Sequence, residues 1–330
     1  MTNSVLKVVN MEHRFEELLK TALYHKVTDI HFNITEHVTR IQMRGINGLM
    51  EVESSGEDER LFNYLEYQAN LDITSFNKTQ TGAFSYFYGG ESYDFRFAVI
   101  ETRRQRTGVL RILNCQQGLR LDQLTYDREC LETFRKWLKR KTGLILFTGL
   151  TGSGKTTTLY SLLNTVSGKT IYSLEDPIEV VQSNMIQLEI NDKTGFGYDE
   201  GIKQILRHNP DMIMIGEIRD ELTAQMCIRA ALTGCLVLSS LHARSCTTAI
   251  NRLTELGVKK EDLRDCAVGI VNQRLVKLRK TAGYTCVYDI LQDEELFNCF
   301  NDPLPFAKRM DEKLLRAIKA GIIADEEGIV

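Results

Sequence analysis

The stretch Leu144 to Leu163, LILFTGLTGSGKTTTLYSLL, restricts most strongly what this chain can fold into. Leu144 to Phe147 form a short apolar run that suits a buried strand, and Leu159, Leu162 and Leu163 recur at helical spacing. Between them Gly149 and Gly154 bracket four residues, and Lys155 and Thr156 follow, completing G-x-x-x-x-G-K-[ST]. Glycines let successive backbone N–H groups converge on one point, and the unpaired N–H groups of a helix start add donors aimed the same way. Such a nest takes a di- or triphosphate. Its members are Gly149, Thr151, Gly152, Ser153, Gly154, Lys155, Thr156 and Thr157, with Lys155 set to meet the β- and γ-phosphates and Thr156 a magnesium ion.

Further short apolar runs, KTIYSL, DMIMI and CLVLSS, alternate with helical patterns near 199–208, 220–232 and 245–256. That alternation predicts a largely parallel sheet in a layered α/β domain. A helix is predicted over 127–141, strands over 270–278 and 284–291, and a terminal helix near 305–320. The first third reads differently. Helical patterns at 12–25 and 57–71 flank alternating segments, in which Ile30, Phe32 and Ile34, then Thr39, Ile41 and Met43, share one face. Residues 84–99 read as two aromatic strands around Gly89-Gly90, and Gly108 to Asn114 as the closing strand. The expected organisation is a small α/β domain over 1–115, a linker over 116–123 and a larger nucleotide-binding domain over 124–330.

Composition removes several classes. A hydrophobic content of 43% with 26% charged residues describes an ordinary globular protein, and a formal net charge of −3 gives no global attraction to DNA or lipid. Arg103 to Arg106, Arg135 to Lys141 and Lys277 to Lys280 are local basic runs better read as solvated or subunit-facing surface than as a nucleic-acid track. The eight cysteines form no C-x-x-C pair, so they read as reduced, buried thiols rather than a zinc or redox site. No uninterrupted apolar run reaches eighteen residues, so any membrane association is expected to come through a partner.

Hydrolysis of a nucleotide also needs acidic groups at the ends of strands. In DMIMIGEIRD the carboxylate that follows the apolar run is Glu217, one residue late. YSLEDPIE brings Glu175, Asp176 and Glu179 to the end of a strand expected to stop at Leu174, where ligands of open α/β sheets collect. CLVLSSLHARS puts His242 in the equivalent place, able to bond a phosphate or sense its loss. Arg219, Arg229 and Arg252 are candidates for charge neutralisation or interface pairing.

In order, GLTGSGKTTTL, YSLEDPIE, LRHNPDMIMIGEIRD and LTGCLVLSSLHA resemble the Walker A, Asp box, Walker B and His box of the type II/IV secretion (GspE/PilT-like) traffic ATPases. TDIHF, RIQMRGING, QTGAF, VLRIL, NQRLVKL and YTCVYDIL are similar to further segments of that superfamily, so the resemblance covers residues 15 to 292. It implies a RecA-like core behind a PAS-like N-terminal domain, and magnesium as cofactor for ATP hydrolysis. It assigns Glu175 to water activation and Glu217 to magnesium, partly through water. It also implies a hexameric homo-oligomer in which the small domain of one subunit supplies arginines, most readily Arg96 or Arg111 with Arg103 or Arg104 as substitutes, to its neighbour's nucleotide. The short length and the lack of a Cys₄ insertion point to the competence ATPases of Gram-positive bacteria, with pilus retraction motors as the alternative. The expected partner is a polytopic inner-membrane platform protein, at the cytoplasmic face, without direct nucleic-acid binding. Departures are Leu150 for a usual proline, Cys235 for histidine, Leu222 for threonine, and Asn47, Thr81 and Ala83 for polar residues of the small domain. A DNA helicase would want a basic, aromatic channel, which a single Trp and a net charge of −3 do not favour.

Overall fold

Alternating and unbroken apolar patterns sort into two different sheets. The computed structural model describes residues 2–25, 27–35, 38–45, 48–73, 79–113, 119–191, 195–281, 283–301 and 309–324, with the backbone alone for 2–10. Asn47, Cys115, the first part of the expected linker and the start of the helix expected near 305 lie outside the described residues. The chain divides into two compact units, Met1–Gln117 and Gly118–Val330.

The first unit runs α1 (Thr2–Tyr24), β1 (Val27–Thr35), β2 (Thr39–Gly45), β3 (Gly48–Val52), α2 (Asp58–Gln68), β4 (Thr79–Tyr88), β5 (Glu91–Glu101) and β6 (Gln105–Ile112). Its sheet has the order β3-β2-β1-β6-β5-β4, with every neighbouring pair antiparallel. Ile30, Phe32, Ile34, Ile41 and Met43 are buried on one face, as their alternation requires. Phe32, Phe62 and Phe97 meet edge to face, with centroids 5.1 to 6.0 Å apart. Arg14 of α1 donates to the fully buried Asp58 of α2 at 3.0 Å, which fixes the two helices together over that core. The helix expected at 12–25 begins ten residues earlier, and β6 starts before Gly108.

The second unit runs α3 (Leu121–Leu124), α4 (Arg128–Trp137), β7 (Gly143–Thr148), α5 (Lys155–Leu163), β8 (Ile171–Glu175), β9 (Ile186–Glu189), α6 (Tyr198–Arg207), β10 (Met212–Ile215), α7 (Glu221–Leu232), β11 (Leu236–Leu241), α8 (Cys246–Glu255), α9 (Lys260–Cys266), β12 (Ala267–Lys277), β13 (Tyr284–Gln292), α10 (Asp293–Asn301) and α11 (Arg309–Lys319). The sheet order is β13-β12-β7-β11-β10-β8-β9, parallel throughout except for the antiparallel β12–β13 pair. β7, β10 and β11 are buried at every residue because helices cover both faces. One core lies against α6 to α10, the other against α3, α4 and α5.

Residues 119–123, read from the sequence as linker, pack with this unit. Leu121 and Leu124 join the core and Ser161 donates to the Leu119 carbonyl at 2.8 Å. Gly269 lies under the Trp137 ring so closely that an added Cβ would come within 2.2 Å of it. The seven described cysteines are all free and buried, and burial pushes the thiols of Cys227 and Cys266 up to about 12. Among the described residues no helix is long and apolar enough to cross a membrane.

Candidate nucleotide site

At the end of β7 the backbone turns through Gly149, Gly152 and Gly154 at φ of 154°, 80° and 84°. Those are values that favour glycine, and they let the loop curl before α5 begins at Lys155. The floor of the loop comes from far along the chain. Gln273 on β12 donates its amide to the Ser153 carbonyl at 2.6 Å, and its own backbone carbonyl oxygen would come within 2.5 Å of a Cβ on Gly149. Lys155 is buried, and its ammonium donates to the Gly149 and Leu150 carbonyls at 3.1 and 3.2 Å. Burial holds that ammonium below its ordinary pKa, with Glu179 opposing the effect. Ser153 Oγ is buried with no partner among the described residues, so the loop contains an unused hydroxyl beside unpaired helix N–H groups. That donor set fits a polyphosphate. Leu150 is exposed.

The expected acidic residues occupy neighbouring strand ends but are held in two different ways. Glu175 is the last residue of β8 rather than the first beyond it, and it is only 2% exposed. Its Oε1 accepts from Ser173 Oγ at 2.6 Å and from Gln187 Nε2 at 3.0 Å, while its Oε2 accepts from the Tyr160 hydroxyl. Glu217 lies among charged groups. His242 Nε2 donates to its Oε2 at 3.1 Å, Arg219 Nε contacts its Oε1, and Arg219 reaches on to Asp176 at 2.8 Å. His242 is held below its ordinary pKa by burial and then by the Lys155 ammonium and Arg219, against a backbone bond to Gly149.

Of the other arginines, Arg252 pairs with Glu255 on its own helix at 3.2 Å, and Arg229 is exposed on α7 two turns beyond Asp220. Neither joins this group. Thr156 and Thr157 occupy the first turn of α5, and Thr151 lies in the loop. Cys235 is buried and donates to the Ala230 carbonyl, so nothing in its contacts replaces a histidine at the site.

In the first unit, strand pairing aligns residues that are distant in sequence. One row across the sheet reads Leu49, Arg44, Asp29, Arg111, Arg96, Ala83. Arg96 and Arg111 lie directly opposite each other, on the face away from Phe95 and Phe97. Arg111 is not free as its alternation suggests, because its Nε bonds Asp29 at 2.8 Å. Arg96 makes no ion pair among the described residues. Arg44 was not a sequence-level candidate, and only the β1–β2 register places it in the row.

The loop, the parallel order and the strand-end carboxylates together define a RecA-like P-loop NTPase core. A model of the type II/IV secretion system protein family matches residues 7–302. The chain belongs to that family, within the GspE/PilT-like superfamily of ATP-hydrolysing motors. The competence protein ComGA of Bacillus subtilis is 35% identical over 274 residues, 82% of this chain and 77% of its own length. Type II secretion system protein E of Pseudomonas aeruginosa is 35% identical over 266 residues, 79% of this chain but 53% of its own. The solved structure of the pilus retraction motor PilT with bound ADP is 25% identical, with a TM-score of 0.72 and 95% of each chain covered.

Proposed function

We propose that this protein is a magnesium-dependent ATPase that works as a hexameric ring and powers assembly of a competence pseudopilus for DNA uptake. The observation that carries the ATPase reading is the gathering of Lys155, Glu175, Glu217 and His242 where β7, β8, β10 and β11 end. Lys155 and the loop N–H groups would bind the β- and γ-phosphates, while Thr156 and Glu217 would hold magnesium, Glu217 partly through water. Magnesium, when bound, supplies positive charge to the phosphoryl oxygens. Glu175 would take the proton of the attacking water. The ring would act at the cytoplasmic face on a polytopic membrane platform protein, without touching nucleic acid.

The competence role is supported by the mutual coverage with ComGA, against about half of the secretion ATPase's length. The retraction motor is the second reading, favoured by the mutual coverage with PilT. A deletion strain complemented with the wild type or with Lys155→Ala separates them. Assembly predicts that only the wild type restores surface fibres and uptake of labelled DNA. Fibres that still form in the deletion strain but fail to shorten would make this the retraction motor.

The first unit, taken as PAS-like, would supply a cation to the neighbouring subunit, and its arginine row motivates the choice of Arg96 with Arg111. Charge developing on the γ-phosphoryl oxygens exceeds what Lys155 and one metal neutralise, and an arginine in trans is worth about 10³ in rate. Arg96→Ala/Arg111→Ala mixed with Glu175→Gln, each nearly inactive alone, should regain ATPase as mixed rings form. Confirmed subunit exchange with no activity at any ratio would refute supply in trans.

A further inference from the structure

The carboxylate of Glu175 is oriented entirely by neutral groups. Among the described residues it makes no ion pair, and its three donors come from three elements: Tyr160 on α5, Ser173 on β8 itself and Gln187 on β9. Gln187 is fixed in turn, donating to the Val180 carbonyl at 3.0 Å and accepting from the Gln182 N–H at 2.6 Å. The donors divide unevenly. Oε1 receives two hydrogen bonds and Oε2 one, from the phenol. A carboxylate oxygen offers two lone-pair directions, so Oε1 is saturated and Oε2 keeps one direction open. Tyr160 therefore sets where that open direction points.

The phenol sits on the same helix as Lys155 and Thr156, five residues from Lys155. It is 6% exposed, and burial with the Glu175 charge pushes its pKa up, so it remains a donor across the physiological range. We infer that Tyr160 is a positioning residue for hydrolysis: its hydroxyl aims the free lone pair of Glu175 Oε2, the proton-accepting atom, and ties that aim to the helix that carries the phosphate-binding residues. This rests on the reading of Glu175 as the base. Water gives its proton to Oε2 as its oxygen bonds to the γ-phosphorus and ADP leaves, so the carboxylate ends protonated and later returns that proton to solvent. The phenol keeps its own proton throughout.

The intact protein with ATP and magnesium supplies the test. Tyr160→Phe keeps the ring in its packed place and removes one hydroxyl. We expect kcat to fall about 10- to 100-fold, the worth of one hydrogen bond to a charged group, with KM and calorimetric ATP affinity unchanged. Combined with Glu175→Gln, it should slow the reaction no further, because the group it positions is already lost. A purely structural tyrosine would give the opposite pattern: a lower unfolding midpoint with kcat retained. Should Tyr160→Phe not fold, 3,5-difluorotyrosine at this position keeps the hydroxyl as a stronger donor. It should then change kcat at least about twofold by lowering the basicity of Oε2, and an unchanged kcat overturns the proposal. Glu175→Gln alone separates the two layers. If it turns over as fast as wild type, the base assignment falls and the positioning role with it; if it is strongly slowed while Tyr160→Phe is as fast as wild type, only the positioning role falls.

Discussion

Lys155→Ala should bind ATP and magnesium about 100-fold more weakly than the wild type or worse, given that each hydrogen bond to a charged group is worth about 1.5–3 kcal/mol. In the described structure the ammonium is folded onto the carbonyls of its own loop at 3.1 and 3.2 Å, a short distance from where the phosphates would be cradled. Exchanging two neutral carbonyls for anionic oxygens would make the lysine a nucleotide ligand rather than a loop strut. The variant should nevertheless fold. A lysine whose folded-state pKa lies below its unfolded value costs the folded state stability at every pH where it is charged, and that cost disappears only as pH rises past the unfolded value. Removing it at neutral pH should leave the unfolding midpoint unchanged or raised. Calorimetric titration beside thermal unfolding measures both quantities, and wild-type affinity in the variant would remove the phosphate-loop assignment.

The two glutamates should fail differently. Glu175→Gln is expected to bind ATP and magnesium normally and to hydrolyse about 10²- to 10⁴-fold more slowly, the usual worth of a general base. Glu217→Gln should instead raise the magnesium concentration needed for half-maximal rate. The environments motivate the split. Glu175 is enclosed and held by neutral donors, suiting a group that must accept a proton. Glu217 lies between Arg219 and His242, a setting in which magnesium would replace the Arg219 guanidinium as its cationic partner. ATPase rate measured against magnesium for both variants decides the matter. If Glu217→Gln alone traps ATP with normal metal dependence, the roles are reversed.

Much of this was legible along the chain because it depends on near neighbours. The phosphate loop, the apolar parallel strands and the alternating strands of the first unit follow from spacing, and each formed close to where it was expected. Short elements escaped. β9 is a four-residue edge strand with no apolar run to mark it, and α3, α9 and α10 span nine residues or fewer, too few for a clear helical period. The site's supports escaped for another reason. Gln273 braces a loop 120 residues away, and Arg111 meets Asp29 across 82 residues, so both contacts depend on strand order and register. The resemblance marked the segment holding Gln273 without giving that residue a task. Tyr160 read as part of a helix, and only the placement of β8 beside α5 turned its hydroxyl toward a carboxylate.

The buried thiols bear on how such a motor ages. Attack on a disulfide, peroxide or alkylating agent requires thiolate, and burial pushes the Cys227 and Cys266 thiols well above their ordinary range, which disfavours that form at pH 7. Packing and charge therefore close the same door twice for Cys227 and Cys266. An oxidant or alkylator reaches them only in the moments when the fold opens, so the rate at which these sulfurs are modified becomes a clock for breathing of the ATPase core. Modification at these positions should therefore fall mainly on molecules that have already come apart, while those that stay folded are spared.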